Sequence, residues 1–212
     1  MNMEKLTWRV PICGFLLLAV AACSTTPGDA ARRGGHYQQA AKLYEAGAKR
    51  GDPVAARKLA DLYNLRPGLP ENHEKAVYWY KKAIELGDIP SQWFVGVIYR
   101  DGKGNVPKDF GLAEYYFSRG AEKGQDYSMY DFAGMYAEEL TKVPNDVEGL
   151  MWLDTVTIFA TTCPRTNEGC QYILRDPKRV REKLELRMSA DQRQRAKALA
   201  NSWVQGWIRK QK

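Results

Sequence analysis

Residues 87–124 read GDIPSQWFVGVIYRDGKGNVPKDFGLAEYYFSRGAEKG, and the stretches on either side of them repeat the pattern. Gly51, Gly87 and Gly124 serve as anchors. Eleven residues before each stands Ala40, Ala76 or Ala113, and seven before stands Tyr44, Tyr80 or Phe117. Eight before each is Leu43, Trp79 or Tyr116. After each anchor come Leu59, Val95 or Phe132, then a small residue, Ala60, Gly96 or Ala133, then Tyr63, Tyr99 or Tyr136. Six positions held in register over three units are the signature of a stacked repeat.

Each unit predicts two helices. In the first, Ala55, Leu59, Leu62 and Tyr63 recur at helical spacing, which marks a buried face. Asp52-Pro53 suits its start, with Asp as N-cap and Pro at the first helical position. The second carries Ala76, Trp79, Tyr80 and Ala83, and Gly87 suits a left-handed C-cap. Trp79 and Tyr80 are expected to be buried between neighbouring helices. Polar loops such as Asp101-Gly102-Lys103-Gly104-Asn105 join the pairs.

Val95 to Gly102, then Val106-Pro107-Lys108-Asp109, then Ala113 to Gly124, closely resemble the Sel-one-like repeat, a relative of the tetratricopeptide repeat. The resemblance is strongest from Gly87 to Gly124 and good from Gly51 to Gly87, with a half-unit at Tyr37 to Gly51. A further unit begins at Asp126 but departs from the pattern after Val143-Pro144-Asn145-Asp146, where Leu150 replaces the alanine. The resemblance implies an all-α fold, a right-handed α-solenoid of stacked helix-turn-helix repeats, and a role in binding proteins. Such an array needs a cover at its end. Asp176-Pro177 predicts one cap helix, carrying Val180, Leu184 and Met188. Ser189 to Gln192 is a capping box opening another, whose stripe is Ala196, Leu199, Ala200, Trp203, Val204 and Trp207.

The chain begins differently. Lys5 and Arg9 precede an uncharged run from Val10 to Ala22, too short to span a bilayer. It ends in Val20-Ala21-Ala22-Cys23, which resembles the lipobox of bacterial lipoproteins. That resemblance implies cleavage before Cys23 and acylation of its thiol, an anchor of more than one acyl chain giving stable attachment. Ser24 follows where an Asp would resemble the inner-membrane retention signal, so the implied address is the outer membrane, facing the periplasm. Cys13 leaves with the leader and Cys23 is lipidated, so Cys163 and Cys170 remain. In an exported protein they most simply form a disulfide. Metal binding is the weaker alternative, because the chain holds only His36 and His73.

The expected organisation is therefore a signal peptide over 1–22 and a lipidated, flexible tether over 23–35. The solenoid follows over 36–161, a disulfide-bearing insert over 162–175, and a helical cap over 176–212. No Gly-x-Ser-x-Gly, Ser-x-x-Lys, His-Glu-x-x-His or phosphate-binding glycine loop is present, and no cofactor is called for. The expected function is a non-catalytic, membrane-anchored scaffold or adaptor for envelope proteins. A cell-wall-related enzyme with penicillin-binding or β-lactamase-like activity is the alternative.

Charge is unevenly placed. Residues 23–171 carry 18 basic and 20 acidic side chains, and residues 172–212 carry 12 and 4. The basic excess reads as a solvated helix face or as a contact for an acidic partner, including an acidic polysaccharide. Nucleic acid is not an expected partner in that compartment. Three aromatics break the repeat. Nine before the anchors stand Lys42, Tyr78 and Tyr115, and seven after stand Lys58, Phe94 and Asp131. Tyr78, Tyr115 and Phe94 are the candidate partner-binding residues, since large aromatics favour interfaces.

Overall fold

The computed structural model describes residues 26–65, 68–161 and 177–210. They form helices α1 (Gly28–Arg33), α2 (Tyr37–Lys49), α3 (Pro53–Asn64), α4 (His73–Glu85) and α5 (Ser91–Asp101). These continue as α6 (Phe110–Glu122), α7 (Asp126–Ala137), α8 (Asp146–Thr161), α9 (Pro177–Glu185) and α10 (Ala190–Lys210). Each helix packs on the next as far as α8. Then α9 packs on α7 and α8, and α10 lies on α8.

The repeat spacing becomes structure through its caps. Asp52 accepts from the backbone N–H groups of Val54 and Ala55, Asn72 from Lys75, and Asp109 from Leu112. These bonds satisfy donors that a helix start leaves orphaned. Gly51, Gly87 and Gly124 all take positive φ, at 90°, 100° and 84°. Behind each, the following N–H reaches back to close the helix: Asp52 to the carbonyl of Gly47, Asp88 to Ala83, and Gln125 to Gly120. This is the paired closure that a left-handed residue makes possible. After α7, at the place that Gly102 holds after α5, Glu139 takes φ 58° and the N–H of Leu140 reaches back to the carbonyl of Met135.

The anchored pattern also fixes the core. Tyr44, Tyr80 and Phe117 are fully buried, as are Ala40, Ala76 and Ala113 one turn earlier. Burying each ring is worth roughly 1.5–3 kcal/mol relative to leaving it exposed. Small residues opposite let the helices close on these rings. A Cβ on Gly96 would stand 2.5 Å from the ring of Phe117. Trp79 is only half-buried, against the expectation, because it packs along the seams of three clusters rather than inside one.

Two more expectations change. Residues 28–33, read as tether, are helix α1, which Ala31 packs against the Tyr44 cluster. In the cap, Ala196, Ala200 and Val204 are buried, but Leu199 is 43% exposed. The helix meets α8 along the rest of that stripe, with Trp203 against Trp152 and Trp207 against Phe159. The reciprocal capping box forms as read: Ser189 N–H donates to Gln192 Oε1 at 2.7 Å, and Gln192 N–H to Ser189 Oγ at 3.2 Å.

Candidate functional site

The titratable groups with displaced protonation hold helices together. Tyr44 donates to Asp29 at 2.7 Å, Lys58 donates to the same carboxylate at 2.7 Å, and so α1 is tied to α2 and α3. Burial alone would raise the Asp29 carboxyl, but the bonds from Lys58 and Tyr44 win and hold it at about 2. One unit on, Tyr80 donates to Asp61 at 2.7 Å, linking α4 to α3. Burial pushes both the Asp61 carboxyl and the Tyr80 hydroxyl up. In the third unit the ring is Phe117 and the position facing it is apolar Val97, packed in the same cluster. The tyrosine and its carboxylate are thus present together or absent together. That pairing follows from the cost of burying either polar group alone.

A second set of polar groups ties α5 to α7. Asp131, almost fully buried, accepts from Trp93 Nε1 and from Arg100 Nη1, the latter at 2.8 Å. Beside it a cleft of about 620 Å³ runs between α5, α7 and α9, with Phe110, Tyr130 and Met135 in its wall and Arg100, Lys108 and Arg179 at its edge.

The three candidate aromatics separate. Tyr78 and Tyr115 occupy equivalent places on α4 and α6 and are 54% and 50% exposed. Each meets its own neighbour edge-on, Tyr78 with Trp79 at 5.2 Å and Tyr115 with Tyr116 at 5.1 Å. The guanidinium of Arg119 lies 5.3 Å over Tyr115. Phe94 does not belong with them. It is half-buried, stacks on Tyr80 at 4.8 Å with the rings 3° from parallel, and touches Trp93 edge-on. The break in the repeat at Phe94 is therefore a packing feature of α4 and α5. Sequence could have shown this only by pairing Phe94 with Tyr80, across a helix junction.

Part of the basic excess of the cap is spent within the molecule. On α9, Arg179 and Lys183 bond Glu138 after α7, and Arg181 bonds Asp154 of α8. Arg187 bridges Asp146 at 2.6 Å and Glu139 at 3.1 Å. Lys183 and Arg179 hold the Glu138 carboxyl below its ordinary range. Arg193 caps the end of α9, donating to the carbonyls of Glu185 and Met188. Arg179, Arg181 and Lys183 of α9 therefore act as a clamp, while Lys178 is exposed. The basic ends of α10, including Arg195, Lys197 and Lys210, stay exposed.

Cys23, Cys163 and Cys170 lie outside the described residues. Among the described residues no helix is long and apolar enough to cross a membrane. Among the same residues no group of three or more His, Cys, Asp or Glu is placed to hold a metal ion.

The Sel1 repeat matches residues 36–52, 53–88 and 89–125. A protective antigen of uropathogenic Escherichia coli, displaying an SLR fold, is 27% identical with a TM-score of 0.63, over 82% of this chain and 35% of that one. A Sel1 repeat protein from Oxalobacter formigenes is 26% identical with a TM-score of 0.49, over 63% and 95%. The ERAD-associated E3 ubiquitin-protein ligase component HRD3B of Arabidopsis thaliana is 30% identical over 122 residues, 56% of this chain and 19% of HRD3B. Chitin synthase regulatory factor 3 of Schizosaccharomyces pombe is 26% identical over 103 residues, 47% of this chain and 11% of that protein. The chain thus spans a fifth or less of these curated relatives. Residues 36–125 match three Sel1 repeats, and over 82% of its length the chain shares the fold of the solved SLR protein.

Proposed function

We propose that this protein is a membrane-anchored, non-catalytic scaffold of the bacterial envelope, held by an acylated Cys23 and capturing a partner protein on the outer face of its repeats. The observation that carries the reading is the pair Tyr78 and Tyr115, half-exposed at equivalent positions of successive units. Rings left in water at a repeated position are poor for solubility and good for an interface centre. The polar groups with displaced protonation support the non-catalytic part, since Asp29, Asp61 and Glu138 all work as ties between helices. The curated relatives are named as a ligase component and a regulatory factor, names that suit proteins acting through others.

The test uses the full chain with its leader. Cys23→Ala should abolish palmitate labelling and release the protein from the membrane fraction. A Tyr78→Ser/Tyr115→Ser variant should keep its stability within about 0.5 kcal/mol, as exposed changes do, and should lose cross-linked envelope partners. Unchanged labelling would contradict the anchor, and unchanged capture would contradict the surface.

A further inference from the structure

Tyr115, Arg119 and Glu122 share one face of α6, and Tyr78, Lys82, Glu85 and Ile89 share the matching face of α4 and its following turn. Counted from Pro144 as the third unit counts from Pro107, the positions of Tyr115, Arg119 and Glu122 become Trp152, Val156 and Phe159 on α8. There the face is covered, and by a helix. Trp203 of α10 meets Trp152 edge-on at 5.4 Å, and Trp207 meets Phe159 at 5.3 Å. Trp152 and Val156 are buried as a result.

Helix α10 then runs on past α8, so that Trp207 closes over the backbone of Gly124 at the turn after α6. Between this overhang and the ends of α4 and α6 lies a trough of about 470 Å³, lined by Ile89, Glu122, Lys123, Trp203, Trp207 and Lys210. Gly206 also borders it. A glycine inside a helix weakens the helix, so it calls for a reason. The packing of α10 supplies none, because a Cβ at Gly206 would meet nothing within 4 Å. Small residues at helix surfaces do serve one purpose, which is to let a second backbone approach.

We infer that the trough beside α10 receives an acidic amphipathic helix of a partner protein, laid against Gly206 and along the Tyr115 face of α6. The occupant is a helix because the molecule already covers the equivalent face of α8 with one, and the trough continues that interface. Its apolar stripe meets Trp203, Trp207, Ile89 and Tyr115. Its flanks are acidic because Lys123 and Lys210 outnumber Glu122 in the lining of the trough. This inference rests on the scaffold reading and adds the class of partner.

The test titrates the full mature chain with a fluorescent, hydrocarbon-stapled 21-residue helix of Leu and Trp on one face and Glu on the other. The controls carry Lys for Glu, or the same residues scrambled. The Glu helix should bind, the Lys and scrambled helices at least about tenfold more weakly, as wrong-charge juxtaposition at an interface would produce. Gly206→Leu fills the approach point while favouring α10, so it should weaken the Glu helix at least about tenfold and leave the melting temperature no lower. Equal binding of all three helices, or Gly206→Leu binding like wild type, would overturn the inference. A wild-type homodimer in sedimentation that Gly206→Leu dissolves would also overturn it, by assigning the trough to a second copy. Envelope capture run in parallel separates the two readings. Capture that survives Gly206→Leu but not Tyr78→Ser/Tyr115→Ser leaves the scaffold standing and removes the helix.

Discussion

Gly96 and Gly206 both sit inside helices, yet they answer to different demands. At Gly96 the ring of Phe117 occupies the space where a Cβ would be, 2.5 Å away. At Gly206 that space is open. Gly96→Ala is therefore expected to cost about 1–3 kcal/mol, the range for overpacking a core. Gly206→Ala is expected to add about 0.5–1 kcal/mol through helix propensity. Urea midpoints of the two variants check the pair, and a change of the same sign in both would show that one glycine has been misplaced. The recurring small residue at Gly96 was legible in the sequence because its repeat mates are Ala60 and Ala133. Gly206 belongs to no repeat, so nothing in the sequence set it apart. Phe94 was misleading for a related reason. A break in a repeat shows that a residue differs, and only the stack on Tyr80 shows what it does instead.

Helix α1 shows what patterning misses at the scale of an element. It has six residues and one aliphatic contact of note, Ala31, too little for a periodic signal. What docks it is charge: Asp29 held by Lys58 and Tyr44. This attachment is pH-dependent in a definite direction. The folded-state value of Asp29, about 2, lies below the ordinary carboxylate value of about 3.9. The stability it contributes is present above about 3.9 and lost as pH falls towards 2. Lys58→Met removes the ammonium, so Asp29 titrates nearer its ordinary range and the contribution shrinks. The melting-temperature gap between wild type and Lys58→Met should be widest above about pH 4 and close as pH falls towards 2. A gap independent of pH would mean that Lys58 acts through its methylenes. The cap illustrates the converse. Its helices and capping box could be read from Asp176-Pro177 and from Ser189 to Gln192. Its ion pairs to α8 and to the turn after α7 join residues 27 to 48 apart, beyond what local spacing reveals.

For the molecule as a whole, the solenoid was legible because one spacing sets caps, core rings and close-approach residues together, and each reinforces the others. The binding surface was legible only in part. Exposure divides the three aromatics that break the repeat, leaving Tyr78 and Tyr115 on the outside and drawing Phe94 into the junction of α4 and α5. The overhang of α10 beyond α8, which creates the trough at Gly206, depends on where the last helix folds back. The account rests on the claim that the outer tyrosines bind and do not support the fold. The most direct measurement takes Tyr115→Ser and Phe94→Ser side by side, reading the urea midpoint and the yield of cross-linked envelope partner from the same preparations. Tyr115→Ser should keep its midpoint within about 0.5 kcal/mol of wild type and lose capture. Phe94→Ser should lose about 2 kcal/mol or more. A lowered midpoint for Tyr115→Ser with capture unchanged would contradict the account and place that ring among the packing residues.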